Sequence, residues 1–347
     1  MNIEIVGAAD SRDGHGYITQ EISIALARLG HNISIRPLSV WYHHDSLKED
    51  VKKLINKSIG KLDFSLVIMY PVADFGRLSS KAAIICMYEA HKCPDVWTKR
   101  LNQLRLSILA PSKFAVEMFK NSNVTVPTFF LTLGIDSNFY TPAKRQFPEG
   151  RPFRFLAVGK LEPRKNVDVA VRCFQEAFSE NEDVEFVIKT RERFLPNSVR
   201  QAAIKDKRIK IIEKTISEEE IRNLYYYGDS FIYPSRGEAW AFTPRNAIST
   251  GMPTLVTDWS ALTEIPGAMK IKVKSLSPMF SCGFSYGQEK DLLMADIDET
   301  DLIEKMQRLA NDRTFYNSVA KETFLVEQQT WEDSANNLVR WIEHGKI

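Results

Sequence analysis

The feature that most constrains this chain is an alternation of short apolar runs with amphipathic segments, carried through the first half and then restarted in the second. Residues 3 to 7 (IEIVG) form such a run and lead into a Gly-containing loop. The segment "GYITQEISIALARLG" then sets Ile18, Ile22, Ala25, Leu26 and Leu29 on one helical face, with Gly30 placed to stop the helix. "ISIRP" follows as a second strand, so the chain opens as a βαβ unit with its loop at the carboxyl end of the first strand. Apolar runs at 65–69, 82–87 and 106–109 alternate with helical segments near 94–104 and 112–120. Strands separated by helices imply a parallel sheet covered on both faces.

A polar, Pro-containing segment, "TPAKRQFPEGRP" at 141–152, interrupts the pattern and reads as a domain boundary. Beyond it "FRFLAVGKLEPRKN" is again a strand and a loop, followed by a helix with Asn166 in the capping position and Val167, Ala170, Val171, Phe174 and Phe178 on one side. Strands are expected at 185–189, 209–212, 231–233 and 254–256, and "SEEEIRNLYYY" has capping-box spacing. The last segment, "TWEDSANNLVRWIEHG", pairs Thr330 with Asp333 in the same spacing and carries a stripe of Trp331, Ala335, Leu338, Val339 and Ile342. The expected architecture is α/β: two Rossmann-like doubly wound domains, 1–145 and 146–329, facing each other across a cleft. A helix at 330–347 must dock, with the N-terminal domain as its candidate partner.

A chain of 347 residues suits two such cores. With 46 Lys and Arg against 44 Asp and Glu, the net charge supplies no field that would itself imply nucleic acid or a membrane surface. The basic stretch at 189–210 interleaves acids and reads as a solvated helix face. Cys86, Cys93, Cys173 and Cys282 have no metal-ligand spacing and read as reduced thiols. No apolar run approaches the ~20 residues of a spanning helix, and the sequence begins on a strand without signal-peptide character, so a cytoplasmic protein is expected.

One stretch carries chemistry. "PSRGEAWAFTPRNAISTGMP", 234–253, places a lone carboxylate, Glu238, after a strand and before a helix. Thr243 suits the N-cap, Pro244 the first helical position and Gly251 the stop, which predicts a helix over about 244–250. Its amino end is a ready anion site. Arg245 in the first turn opposes the helix dipole, and either meets a phosphate there or turns to solvent.

These motifs resemble those of family 4 glycosyltransferases, retaining enzymes with the GT-B fold. "GKLEPRKN" (159–166), "SEEEIRNLYYYGDSFIYPSRGEAW" (217–240) and "STGMPTLVTDWSALTEI" (249–265) are similar to that family's second domain. "MYEAHKCPDVW", "LAPSKFAVEMF" and "LGIDSNFYTP" are similar to its acceptor domain, so the resemblance spans the chain. It implies transfer of a sugar from a nucleoside diphosphate sugar to an acceptor hydroxyl, with no metal and no cofactor beyond the donor. Glu238 would hold donor sugar hydroxyls. Lys160 and Lys165 would neutralise the departing diphosphate, with Arg164 either sharing that role or solvated. The backbone at Ala241, Phe242 and Thr243, with Arg245, would meet the phosphates. "ADID" at 295–298 reads as surface rather than a metal site.

The sequence departs from the family at one point: the second Glu of the Glu-x7-Glu motif, which binds ribose, is here Asn246. An amide accepts and donates but lacks the charge that strengthens such bonds. That substitution keeps open a catalytically weak nucleotide-sugar-binding subunit, and the two-domain architecture an epimerase. In the first domain "GAADSRDGHGY" resembles the family's Gly-rich loop, where Gly16 either approaches the donor or serves tight packing. Glu89 and His91 would orient the acceptor, His91 having a plain surface histidine as its alternative. The acceptor itself is left open among polysaccharide, lipid-linked sugar, modified nucleobase, protein and small molecule.

Overall fold

The apolar runs become strands and the segments between them helices. The computed structural model describes residues 1–10, 14–38, 47–191, 195–279 and 287–345. The chain divides into two compact units, Met1–Gly134 with Gln329–Ile347, and Ile135–Gln328.

In the first unit the strands are β1 (Asn2–Gly7), β2 (Asn32–Pro37), β3 (Phe64–Ile68), β4 (Ala82–Ile85), β5 (Ser107–Ala110) and β6 (Thr128–Phe130). They pair in parallel in the order β2-β1-β3-β4-β5-β6. Helices α1 (Gly14–Arg28), α2 (Glu49–Lys52), α3 (Asp95–Leu104) and α4 (Lys113–Asn121) lie between them. The central strand β3 is buried at every position, Ser65 included, as expected of a mainly apolar strand in a sheet covered on both faces.

In the second unit β7 (Phe153–Val158), β8 (Val184–Thr190), β9 (Ile209–Glu213), β10 (Ser230–Tyr233), β11 (Thr254–Thr257) and β12 (Met269–Ile271) form a parallel sheet in the order β12-β11-β10-β7-β8-β9. Its helices are α5 (Val167–Ala177), α6 (Asn197–Lys205), α7 (Glu218–Tyr227), α8 (Phe242–Ser249), α9 (Glu299–Asn311) and α10 (Arg313–Phe324). A two-stranded antiparallel ribbon of β13 (Val273–Pro278) and β14 (Leu293–Ile297) completes it. Strand order reverses between β7 and β10, so the loops after these two strands flank the crevice where open α/β sheets bind ligands.

The polar segment at 141–152 lies within the second unit, and the division between units falls earlier, at Gly134/Ile135. Arg145 explains why: its guanidinium donates to the carbonyls of Gly228 and Tyr225, both at 2.6 Å, and Ala143 N donates to Thr250 O at 3.2 Å. Arg151 adds a bidentate pair with the buried Asp229 at 2.7 Å. A segment fixed by so many bonds is part of the body it crosses.

Capping follows local chemistry at two of the four expected positions. Ser217 with Glu220 and Thr330 with Asp333 form reciprocal capping boxes. Asn166 precedes α5 in a left-handed conformation, and its side chain makes no capping bond. The last helix, α11 (Trp331–His344), belongs to the first unit and packs on α1. Its most buried residues are Trp331, Ser334, Ala335, Leu338 and Trp341; Val339 and Ile342 are only half-buried. The face is rotated because Trp341 inserts edge-on against Phe64 and Phe129, 6.0 and 5.4 Å between ring centroids, and Ser334 donates to Thr132 O at 2.8 Å. No helix among the described residues is long and apolar enough to cross a membrane.

Candidate active site

Two loops meet at the strand reversal of the second sheet. One follows β7 and runs from Gly159 through a 3-10 turn at Pro163–Lys165; the other follows β10 and runs from Pro234 to α8. They are stitched together by Arg236 N donating to Arg164 O at 2.8 Å and by the Arg164 guanidinium donating to Gly237 O at 2.6 Å.

Glu238 sits at this junction with only 5% of its surface exposed. Its Oε1 lies 2.6 Å from Lys165 Nζ and 2.7 Å from the Arg164 guanidinium, and accepts from Tyr233 OH at 2.9 Å and Ser235 Oγ at 2.7 Å. Among the described residues, Oε2 accepts no such bond, so one oxygen anchors the carboxylate while the other keeps its lone pairs. Burial alone pushes this carboxyl up, but the Arg164 and Lys165 charges and the bonds from Lys165 and Ser235 outweigh it and hold the group down at about 2. Burial and the adjacent carboxylate push the Tyr233 hydroxyl well up, keeping it a donor. Both cations thus converge on one buried carboxylate, and Arg164 also lies 4.0 Å from the more exposed Glu162.

Four residues beyond Glu238, α8 begins. It starts at Phe242, two residues before the expected Pro244, and its N-cap is Ala241 rather than Thr243. Ala241 adopts φ 67°, a left-handed conformation that costs a non-Gly residue about 1–2 kcal/mol, and no side chain caps the helix. Pro244 therefore lies in the first turn, where its missing N–H costs no intrahelical bond. Gly251 follows the helix with φ 75°, as expected for its stop.

Arg245 does not turn to solvent. It is buried, its guanidinium lies over the Trp240 ring at 3.6 Å, and Nε donates to Trp240 O at 3.2 Å. Burial pulls it down to about 10 although Glu264 works the other way. Its place is thus beneath the loop, where it props Trp240. Asn246, one position on, is also buried, and its Oδ1 has no hydrogen-bond partner among the described residues. A buried amide oxygen left without a donor costs roughly 1–3 kcal/mol, a standing reason to bind a hydroxyl or N–H.

Of the residues singled out from sequence, Arg164, Lys165 and Glu238 are brought into contact, and Ala241, Phe242, Thr243 and Asn246 form the start of the adjoining helix. Lys160 lies half-buried in the loop after β7. Gly16, Glu89 and His91 belong to the first unit. Gly16 is needed for close packing, since a Cβ there would stand 1.9 Å from Asp10 O; residues 11–13 of its loop lie outside the described residues. Glu89 and His91 are half-buried in the loop after β4.

Asp296 pairs with buried Arg236 at 2.9 Å, and Asp298 caps α9. The Asp-x-Asp thus serves structure, since Arg236 Nε also donates to Ala295 O and fixes the β13–β14 ribbon to the loop carrying Glu238. Cys86, Cys93 and Cys173 are free and buried; Cys282 lies outside the described residues. Sequence reasoning missed Tyr233, Ser235 and Ser260 as partners of Glu238. The first two precede it within the same turn, a spacing that could have shown them.

Residues 152–312 match the family model described as "Glycosyl transferases group 1". No curated protein matches the chain in sequence. Among solved structures, Anabaena Alr3699/HepE in complex with UDP and glucose superposes with a TM-score of 0.70 at 11% identity, covering 99% of each chain. Sucrose-phosphate synthase (tll1590) from Thermosynechococcus elongatus gives 0.68 at 11% identity, covering 99% of this chain and 98% of that one. A glycosyltransferase from Rickettsia africae ESF-5 gives 0.62 at 14%, covering 99% of both. At such identities the likeness is one of fold, and the fold is GT-B.

Proposed function

We propose that this chain, whose residues 152–312 carry the pattern of the group 1 glycosyl transferases, moves a sugar from a nucleoside diphosphate sugar to an acceptor hydroxyl, with retention at the anomeric carbon and without a metal ion. The observation that carries the reading is the buried, ionised Glu238 held between Arg164 and Lys165 at the strand reversal. Breaking a glycosyl–phosphate bond builds negative charge on the leaving diphosphate. Fixed cations and a helix amino end placed where that charge appears lower the barrier without reorganising. Arg164 and Lys165 supply the charge that a metal would otherwise bring, Lys160 extends it, and the start of α8 receives the phosphates. Glu238 Oε2 accepts from sugar hydroxyls, and Asn246 turns its unpartnered oxygen to the ribose. On the first unit, Glu89 and His91 orient the acceptor.

The HepE structures contain UDP and UDP-glucose, which makes uridine carriers the first donors to test. Incubation of the purified protein with UDP-glucose, other uridine and guanosine diphosphate sugars and a chelator should release the nucleoside diphosphate, and NMR of the product should show the donor's anomeric configuration. Inversion, or release only with added metal, overturns those parts of the reading.

Asn246 favours a second reading, a nucleotide-sugar-binding protein with little turnover. If Asn246 occupies the ribose site, Asn246→Glu should tighten UDP binding by up to ~1.5–3 kcal/mol, with a smaller gain for deoxy-UDP. Calorimetric titration of both proteins checks this. Equal changes for the two nucleotides would remove position 246 from the ribose site.

A further inference from the structure

We infer that Ser260 is a positioning residue for Glu238, an inference that rests on the role proposed for that carboxylate. Ser260 opens the 3-10 turn Ser260–Leu262 in the loop after β11 and is nearly fully buried. Its Oγ accepts the backbone N–H of Glu238 at 3.0 Å and donates to Trp259 O at 2.6 Å. The next residue completes a clamp, since Ala261 N donates to Glu238 O at 3.1 Å. Both backbone polar groups of Glu238 are therefore held by one neighbouring loop, while Oε1 is held by the four donors described above.

The conformation of Ser260 makes the hydroxyl informative. Its φ is 58°, in the left-handed region that glycine occupies without cost and other L-residues adopt at a penalty. On backbone grounds glycine is the better residue here. What glycine lacks is the hydroxyl, whose direction the left-handed backbone sets toward Glu238 N. The turn and the bond act together: the loop after β11 fixes where the main chain of Glu238 lies, and so where Oε2 points. A displacement of a few tenths of an ångström in such a group acts on turnover before it acts on donor affinity.

The test compares Ser260→Gly, Ser260→Ala, Glu238→Gln and the double variant Ser260→Gly with Glu238→Gln, using UDP-glucose as donor and release of UDP as readout. Ser260→Gly trades a lost bond for relieved backbone strain and should melt close to the parent, whereas Ser260→Ala keeps the strain and loses the bond. Both should lower kcat roughly tenfold, the loss expected if the displaced Oε2 forfeits one hydrogen bond's worth of transition-state stabilisation, with a smaller change in KM. Because Ser260 acts through Glu238, the double variant should be no slower than Glu238→Gln alone. Parental kcat in both Ser260 variants beside an impaired Glu238→Gln overturns the inference and leaves the reading of Glu238 intact. Multiplicative losses in the double variant overturn it too, since they mark an independent structural effect. An active Glu238→Gln, or a parent that releases no UDP, removes the role of Glu238 and the inference with it.

Discussion

Glu238→Gln should lower turnover by about 1.5–3 kcal/mol in barrier while leaving affinity for bare UDP unchanged or tighter. The two halves of this expectation have different causes. The carboxylate is proposed to accept hydroxyls of the donor sugar through Oε2, and an amide loses the charge that makes such bonds strong. In the protein, Oε1 is also the counter-charge of Arg164 and Lys165 at 2.7 and 2.6 Å. Removing it leaves both cations to a diphosphate. Calorimetry with UDP and with UDP-glucose, beside steady-state kinetics, separates the effects; equal losses for both ligands would place Glu238 away from the sugar.

The same substitution bears on stability, with a sign fixed by the pKa. The folded carboxyl titrates at about 2, below its ordinary 4.5, so its ionised form stabilises the fold above the unfolded value. That contribution, about 3 kcal/mol at most, is lost as pH falls from about 4.5 toward 2. Glu238→Gln should be less stable than the parent at neutral pH, because the half-buried Arg164 and Lys165 lose the carboxylate they share. The gap between the two proteins should narrow on acidification. A gap independent of pH would mean that the ion pairs contribute nothing to folding.

How far the sequence carries can be judged from particular residues. The βαβ alternation was legible because β3 and β7 are mainly apolar stretches, broken only by Ser65 and Arg154, at the centres of sheets. The capping boxes at Ser217 and Thr330 were legible because their chemistry is local. Strand β6, three residues at a sheet edge and nowhere fully buried, is too short for Phe129 and Phe130 to set a period. β13 and β14 pair mainly with each other, and β13 is largely exposed.

The start of α8 was misplaced because Ala241 is left-handed. Side-chain propensity disfavours that state, and only tertiary packing imposes it. For Arg245, helix position foretells its relation to the dipole, but not the ring of Trp240 beneath it. For Glu238, the motif gave the residue and the basic neighbours. Its two cations come from a loop more than seventy residues earlier in the chain, brought beside it by the β7–β10 pairing.

Lys165→Ala should cost turnover about 100- to 1,000-fold at saturating donor, the range for removing one preorganised donor from a developing anion, with a smaller effect on donor KM. Lys165 Nζ is fixed by Glu238 Oε1 at 2.6 Å and Tyr233 OH at 2.7 Å, with the Tyr233 ring 5.2 Å away, so its charge requires no reorganisation as the diphosphate departs. The variant should fold, because Tyr233, Ser235 and Arg164 still hold the carboxylate. Its pH dependence should also differ from the parent's. With one of two compensating cations gone, the burial that pushes the Glu238 carboxyl up meets less opposition, so its pKa rises and the acid limb of kcat moves to higher pH. Lys165→Arg keeps the charge and should restore the acid limb, but not full turnover, since a planar guanidinium cannot occupy the site of a compact ammonium. Parental turnover in Lys165→Ala at saturating donor would remove the lysine from the chemical step. A lowered turnover with an unmoved acid limb would instead show that Arg164 alone keeps Glu238 ionised.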